Sequence, residues 1–461
     1  MLQDDVMTPT ERKAAMSLAT IYMLRMLGLF MILPVFALYA EDLEGYTPML
    51  VGLAVGIYGL TQAIFQMPFG MISDKIGRKP VIIAGLIIFA IGSVIAAMAE
   101  SMFWVIVGRA IQGAGAIAAT VMALAADLTR EEHRLKAMAI IGMSIGLSFS
   151  ASLILGPLVN TWVGVSGIFW ITAFLAILGI LVVKYVVPTP AVSRFHRDTE
   201  PMPDQFMNVL KDHQLLRLDV GIFALHLILT ATFVVLPLSL RDHAGLGVDS
   251  HWLVYLGVMI VAMGLMVPFV IRAEKKRRMK QVFIAAILMI AIAEGALAIA
   301  YDSLAGTVIA LLVFFIAFNV LEATLPSLIA KTAPPDKKGT AMGIYSSSQF
   351  LGAFCGGIMG GWLFGVGGVT AVFLLCVLVA LAWFLVAITM KNPRYLSSYM
   401  LNIGEVNEEE AKHLSIKLTQ VQGVAEAVVI VEDGIAYLKV DSHALDREKL
   451  QAFSVAETGV P

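Results

Sequence analysis

From Met16 to Met390 the chain is a succession of apolar runs, most of them about twenty residues long and separated by short polar breaks. A helix of that length crosses about 30 Å of hydrocarbon, and it satisfies its own backbone N–H and C=O groups where no water can. The pattern therefore commits this part of the chain to an all-α polytopic membrane fold. Composition agrees: of 461 residues 59% are hydrophobic and only 14% charged, too little charge to coat a soluble body of this size. A net charge of -2, with the basic residues confined to loops, offers no nucleic-acid surface.

Twelve spans are expected, at 16–40, 48–70, 80–98, 102–126, 135–159, 164–187, 217–240, 250–271, 280–299, 303–330, 340–364 and 368–390. The longest break, 188–216, is charged and holds Pro190, Pro201 and Pro203. It divides the chain into an N-terminal half (1–187) and a C-terminal half (217–390) of six helices each. With the N-terminus in the cytoplasm, the inward segments collect Lys75, Arg78, Lys79, Arg130, Arg134, Lys275, Arg277, Lys337 and their like. The outward loops hold Arg241 alone. This bias places both chain ends inside.

After a short linker (391–398) the character changes. Residues 399–461 read as a small soluble α+β module. The expected order is a strand at 400–403, a helix at 408–421, strands at 424–431 and 436–440 joined through Glu432-Asp433-Gly434, and a helix at 444–453. That order suggests a split βαβ sandwich on the cytoplasmic side. About sixty residues is small for independent stability, so docking, self-association or ligand binding is expected of it.

Ionisable residues in hydrocarbon are costly and face cavities or partners. Arg25, Arg109, His226, Glu294 and Glu322 are the clearest, with Gln112 among the uncharged companions. Glu322, nearest mid-membrane, is the first candidate proton carrier. Glu294 is expected nearer the outer end, within easier reach of water. Arg25 is expected to snorkel toward the cytoplasmic surface. Arg109 is too deep to do so and needs acceptors. The bland alternatives are structural ion pairs and a neutral bonded histidine. Gly113, Gly142, Gly146 and Gly156 permit close helix contacts, and Pro157 can bend its helix. No catalytic motif, phosphate loop or cofactor site is present, and the isolated Cys355 and Cys376 make neither a metal site nor a disulfide framework. The only coupling agent expected is the proton.

One polar turn interrupts the apolar pattern most sharply: GMISDKIGRK at 70–79, where Gly70 and Gly77 bracket Asp74, followed by Arg78 and Lys79. Between a second and a third span, this order resembles the loop signature of the major facilitator superfamily. The resemblance covers residues 12–392 and implies alternating access. In the family this turn contacts the opposite half on the cytoplasmic side, which would set Asp74 against the start of the eleventh span near Gly339–Thr340. Asp127 and Arg134 resemble its charged partners. Arg109, Gln112, Gly113 and Gly115 resemble the fourth-helix signature linked to proton coupling. Gly142, Gly146, Gly156 and Pro157 resemble the fifth-helix signature of drug:proton antiporters, although Asn160 and Thr161 stand where paired glycines are expected. The C-terminal module is similar to a heavy-metal-associated, ferredoxin-like domain, but 403–408 reads IGEVNE and lacks the cysteines of its metal loop.

The resemblance implies a bacterial inner-membrane carrier that exports a small amphipathic or drug-like solute against proton entry. Two alternatives stay open at this point, a metabolite facilitator or uniporter and a membrane sensor working through the C-terminal module.

Overall fold

The computed structural model describes residues 6–190, 203–393, 395–404, 406–431, 434–441 and 444–454. The expected turn acids Glu432 and Asp433, and most of the charged stretch in the 188–216 break, lie outside the described residues.

Helix α1 (Pro9–Phe30) starts on a capping box, with Thr8 and Glu11 satisfying each other's backbone N–H and Pro9 in the first turn. It begins earlier than its apolar run and ends before Pro34, which stands in the turn leading to the short α2 (Phe36–Tyr39). Helix α3 (Pro48–Ile76) is capped by Thr47 and continues through Pro68. Gly77, at φ 96°, turns the chain directly into α4 (Arg78–Ala97). The fourth expected span is two helices, α5 (Met102–Ala114) and α6 (Ala118–Asp127), broken at Gly115. The fifth and sixth form one long element, α7 (Glu131–Tyr185), with a single non-helical residue, Gly164 at φ 67°.

The expected linker is not featureless: α8 (Pro203–Leu210) is helical. Then follow α9 (His213–Asp242), α10 (His251–Lys275), α11 (Met279–Ala300), α12 (Leu304–Thr332) and α13 (Lys338–Ile388), the last with one elbow at Gly368, φ 69°. Among the described residues, ten helical stretches are long and apolar enough to cross a membrane. Their outward faces carry side chains such as Phe103, Trp162, Phe174, Ile299 and Leu378, each more than half exposed. Such faces are stable only against lipid.

We term α1–α7 the first bundle and α9–α13 the second; packing runs across the boundary, α3 making its most extensive contact with α13. In the first, α1 lies along α7 and α4 against both α5 and α7. In the second, α9 lies along α13 and α11 against α12 and α13. The bundles meet where α3 runs along α13 and where α7 touches α10. Gly52 and Gly357 make the first approach possible: a Cβ on either would overlap the other's backbone carbonyl.

The C-terminal segment is α+β: β1 (Ser397–Asn402), α14 (Glu408–Thr419), β2 (Val424–Ile430), β3 (Ile435–Val440) and α15 (Arg447–Gln451). A second capping box, Asn407 with Glu410, starts α14. Strand β3 lies between β1 and β2, antiparallel to both. Leu401, Leu418, Leu438 and Leu450 centre its core. The element order is the expected one, with β1 starting a few residues earlier and α15 shorter.

Candidate functional site

The candidate residues separate into three groups. The first lies in the second bundle. His226, from α9, points Nδ1 at the Ile222 carbonyl (3.2 Å) and sets Nε2 2.8 Å from Nε2 of Gln349 on α13. With the amide in this orientation Nε2 accepts and Nδ1 carries the proton, the neutral tautomer. Glu322 Oε1, from α12, stands 3.4 Å from the same Nε2. Its side chain is a third exposed whereas that of His226 is a tenth exposed, but Oε1 itself is enclosed and has no hydrogen-bond partner. This group continues toward the 70–79 end through residues that sequence reading missed. Asp219 is buried, and its Oδ1 has no hydrogen-bond partner; the hydroxyl of buried Tyr345 has none either. Tyr345 feels the charge of both Glu322 and Asp219. Asp219 was discoverable as an acid inside the seventh span.

Glu294 does not join them. It is fully enclosed, accepts from Thr232 Oγ1 at 2.8 Å and stands near Cys376. Its expected access to water is thereby corrected: α9 and α13 cover it.

The second group is the pair of buried arginines in the first bundle. Arg109 donates to Gln112 Oε1 (2.8 Å), Ala54 O (3.3 Å) and Val55 O (3.5 Å), with its guanidinium over the Tyr58 ring. The expected acceptors are therefore carbonyls and an amide. Gln112 passes the chain on to Ser93 Oγ at 2.7 Å. Arg25 does not snorkel. It is 1% exposed, donates to Gln62 Oε1 (2.7 Å) and Gly115 O (3.0 Å), and faces the Tyr58 and Phe89 rings. Internal carbonyl and π acceptors hold it in place of the headgroup region.

The third group is the 70–79 turn. Asp74 is ion-paired to Arg78, whose Nε also reaches Asp127 Oδ2 at 3.3 Å and whose Nη1 donates to Ser73 Oγ at 2.8 Å. The expected contact of Asp74 with Gly339–Thr340 is not made in this conformation; the acid is folded onto its own turn. Lys79 Nζ donates to Val187 O at 2.7 Å, and Gly70 sits close to Ala119. Arg134 is buried and reaches Met400 Sδ of the C-terminal segment at 3.6 Å.

The glycines differ from expectation in part. Gly113 packs on Tyr58 and Thr61, and Gly156 on Met31 and Pro34. Gly142 and Gly146 have nothing within 4 Å of a would-be Cβ, so they make no close helix contact here. Helix α7 runs through Pro157.

Comparison with known proteins places the chain in a family. The chain matches the Major Facilitator Superfamily over residues 18–293 and 273–399. It is 46% identical over 450 residues to the inner membrane transport protein YajR of Escherichia coli K12, covering 98% of this chain and 99% of that one. It is 24% identical over 347 residues to the multidrug resistance protein MdtH of Yersinia enterocolitica, covering 75% and 85% respectively. Among solved structures, a bacterial homologue of the human lysosomal transporter Spinster, in an inward-facing and occupied conformation, superposes with a TM-score of 0.67 at 15% identity, covering 83% of this chain and 98% of that one. The chain belongs to the Major Facilitator Superfamily, as a multi-pass inner-membrane transport protein and not an enzyme.

Proposed function

We propose that the chain is a proton-coupled secondary active transporter that exports a small amphipathic, drug-like solute by alternating access. The observation that carries the coupling is the approach of Glu322 Oε1 to His226 Nε2 across α12 and α9, 3.4 Å apart. A proton on the carboxyl has the imidazole as acceptor. Transfer leaves a carboxylate and an imidazolium, and rotation of the Gln349 amide turns its oxygen toward the new N–H. Asp219 and Tyr345 extend the same polar face toward the 70–79 end. Arg109 and Arg25 hold fixed positive charge in the facing bundle, Gln112 positions Arg109, and Glu294 is a reserve acid whose use requires opening α9 from α13.

Twelve spans in two halves are supported by the elbows at Gly164 and Gly368: counted as turns, they divide α7 and α13 in two. The distribution of Lys and Arg supports cytoplasmic termini. Under that orientation α3 and α13 touch from Gly52 and Gly357 on the outer side to Gln66 with Ser346 and Ser347 past the middle, and α7 meets 248–250 on the outer side. With Asp74 off α13, this favours an inward-facing reading of this conformation. Asp74 then rests on Arg78, and docks on the first turn of α13 when the inner side closes, where free backbone amides favour an anion. Gly70, Gly77, Lys79, Asp127 and Arg134 shape that lock. The open flanks of Gly142 and Gly146 leave room for a helix to approach. The order β1-β3-β2 supports a ferredoxin-like module, and the name of the MdtH relative supports efflux.

The test is proton flux in proteoliposomes against a substrate panel. Glu322→Gln and Arg109→Ala are expected to fold and to lose proton-coupled flux. Normal coupled transport in both sinks the assignment.

A further inference from the structure

The face of the sheet opposite α14 is covered by the membrane helices. Lys439, on β3, is 2% exposed. Its Nζ donates to Ala330 O at 2.7 Å and to Lys331 O at 3.3 Å, two carbonyls in the last turn of α12. Those carbonyls have no partner further along the helix, and a cation there also meets the negative end of the helix dipole. Asp441, just after β3, accepts from Arg277 Nη2 at 3.5 Å, in the connection between α10 and α11. All of these partners belong to the second bundle. On β1, Met400 accepts from Arg134 Nη1 at 3.6 Å, and Arg134 belongs to the first bundle. Strand β3 also packs on 335–337, immediately before α13, where the charge of Lys338 bears on Lys439.

One hydrogen-bonded sheet thus touches both bundles at the 70–79 end. A sheet of this kind has a fixed width, since its strands are held about 4.8 Å apart. It fits one separation of Arg134 from the end of α12. When the bundles close on each other at this end, one of the two contacts breaks. We infer that the C-terminal module is a brace that selects the conformation with this end open, by gripping the last turn of α12 through Lys439 while resting on Arg134. It also stands beside the start of α13, the surface Asp74 needs on closing. Brace and turn therefore compete for one region. The inference rests on the two-bundle rocking of the proposed transport cycle, not on its coupling ion.

The experiment measures two distances in the full-length chain in nanodiscs by pulsed electron spin resonance: between the bundles at the 70–79 end, and between the module and α12. Lys439→Glu places a carboxylate against the α12 carbonyls. It is expected to lengthen the module distance and to shift the bundle ratio about tenfold toward closure, the scale of one charge-assisted hydrogen bond. A cysteine pair, Lys439→Cys with Ala330→Cys, is expected to lock the module when oxidised, to deplete the closed population, and to restore it on reduction. If Lys439→Glu frees the module while the bundle ratio stays at its wild-type value, the brace is overturned and rocking stands. If the oxidised pair closes as readily as wild type, the brace is likewise overturned. A wild type with only one bundle separation under all conditions overturns both the brace and the rocking it rests on.

Discussion

Arg241, at the end of α9, donates to both carboxylate oxygens of Glu41, at 2.6 and 3.1 Å, and so clasps the second bundle to the first at the end away from the 70–79 turn. Asp242 holds the same guanidinium at 2.5 and 2.9 Å and orients its fork. Both partners of the clasp are a third exposed, so solvent screening limits it to about 1 kcal/mol. Arg241→Ala is expected to move the conformational ratio by up to about fivefold toward opening at this end. High salt should do the same to wild type and little to the variant. Spin-label distances across the clasp read both effects.

A second prediction concerns the contact of α3 with α13. Gly357→Leu puts a branched side chain where the Gly52 carbonyl stands. Overpacking of this kind costs about 1–3 kcal/mol, so the helices should separate and the protein melt earlier. Cysteine cross-linking between α3 and α13 near these positions should fall. Retained cross-linking at the wild-type rate would contradict the close approach.

Arg25 yields a third. Its Nη2 alone reaches both Gln62 Oε1 and Gly115 O, while its plane faces two aromatic rings. Lysine keeps the charge but not the planar fork. Arg25→Lys should lower thermal stability in detergent by about 2 kcal/mol. Gln62→Ala should cost less, since a carbonyl acceptor remains.

The fourth is a pH dependence. Burial, with a smaller push from Lys338 and a small opposing pull from Glu426, takes the Lys439 ammonium from 10.5 down to about 8. An undocked, solvated Lys439 keeps the ordinary value. Docking therefore carries the full cost of burying the ammonium below about pH 8, and that cost fades as pH rises from there toward 10.5. The two carbonyl hydrogen bonds, which a neutral amine also donates, remain. The docked fraction should be level below pH 8 and climb above it. In Lys439→Met it should stay level throughout, as measured by the module-to-α12 distance.

Hydropathy varies along one dimension, so the membrane stretches and the 70–79 turn were legible without coordinates. What was lost depends on partners from other helices. Arg25 read as a snorkelling residue because Gln62 and Gly115 are distant in sequence and cannot be assigned to it from spacing. Glu294 read as near water because its depth was counted along α11 alone, whereas Thr232 and Cys376 of neighbouring helices close over it. Asp219 lies inside the seventh span and was not weighed there. Lys439 alternates with apolar neighbours as a residue on a solvent face would, yet that face is covered by α12. Gly142 and Gly146 show the converse: a small residue permits a contact without creating one.

The elbows at Gly164 and Gly368 carry one more consequence. Gly164 follows the start of α1 by the same number of residues as Gly368 follows the start of α9. The stretches 9–164 and 213–368 thus share one spacing. Within the expected membrane spans they differ in the ionisable residues they bury. The first encloses Arg25 and Arg109, the second Asp219 and Glu294, with Glu322 partly enclosed. Under the proposed cycle a solute between them meets fixed guanidinium groups on one side and proton-exchanging carboxyls on the other.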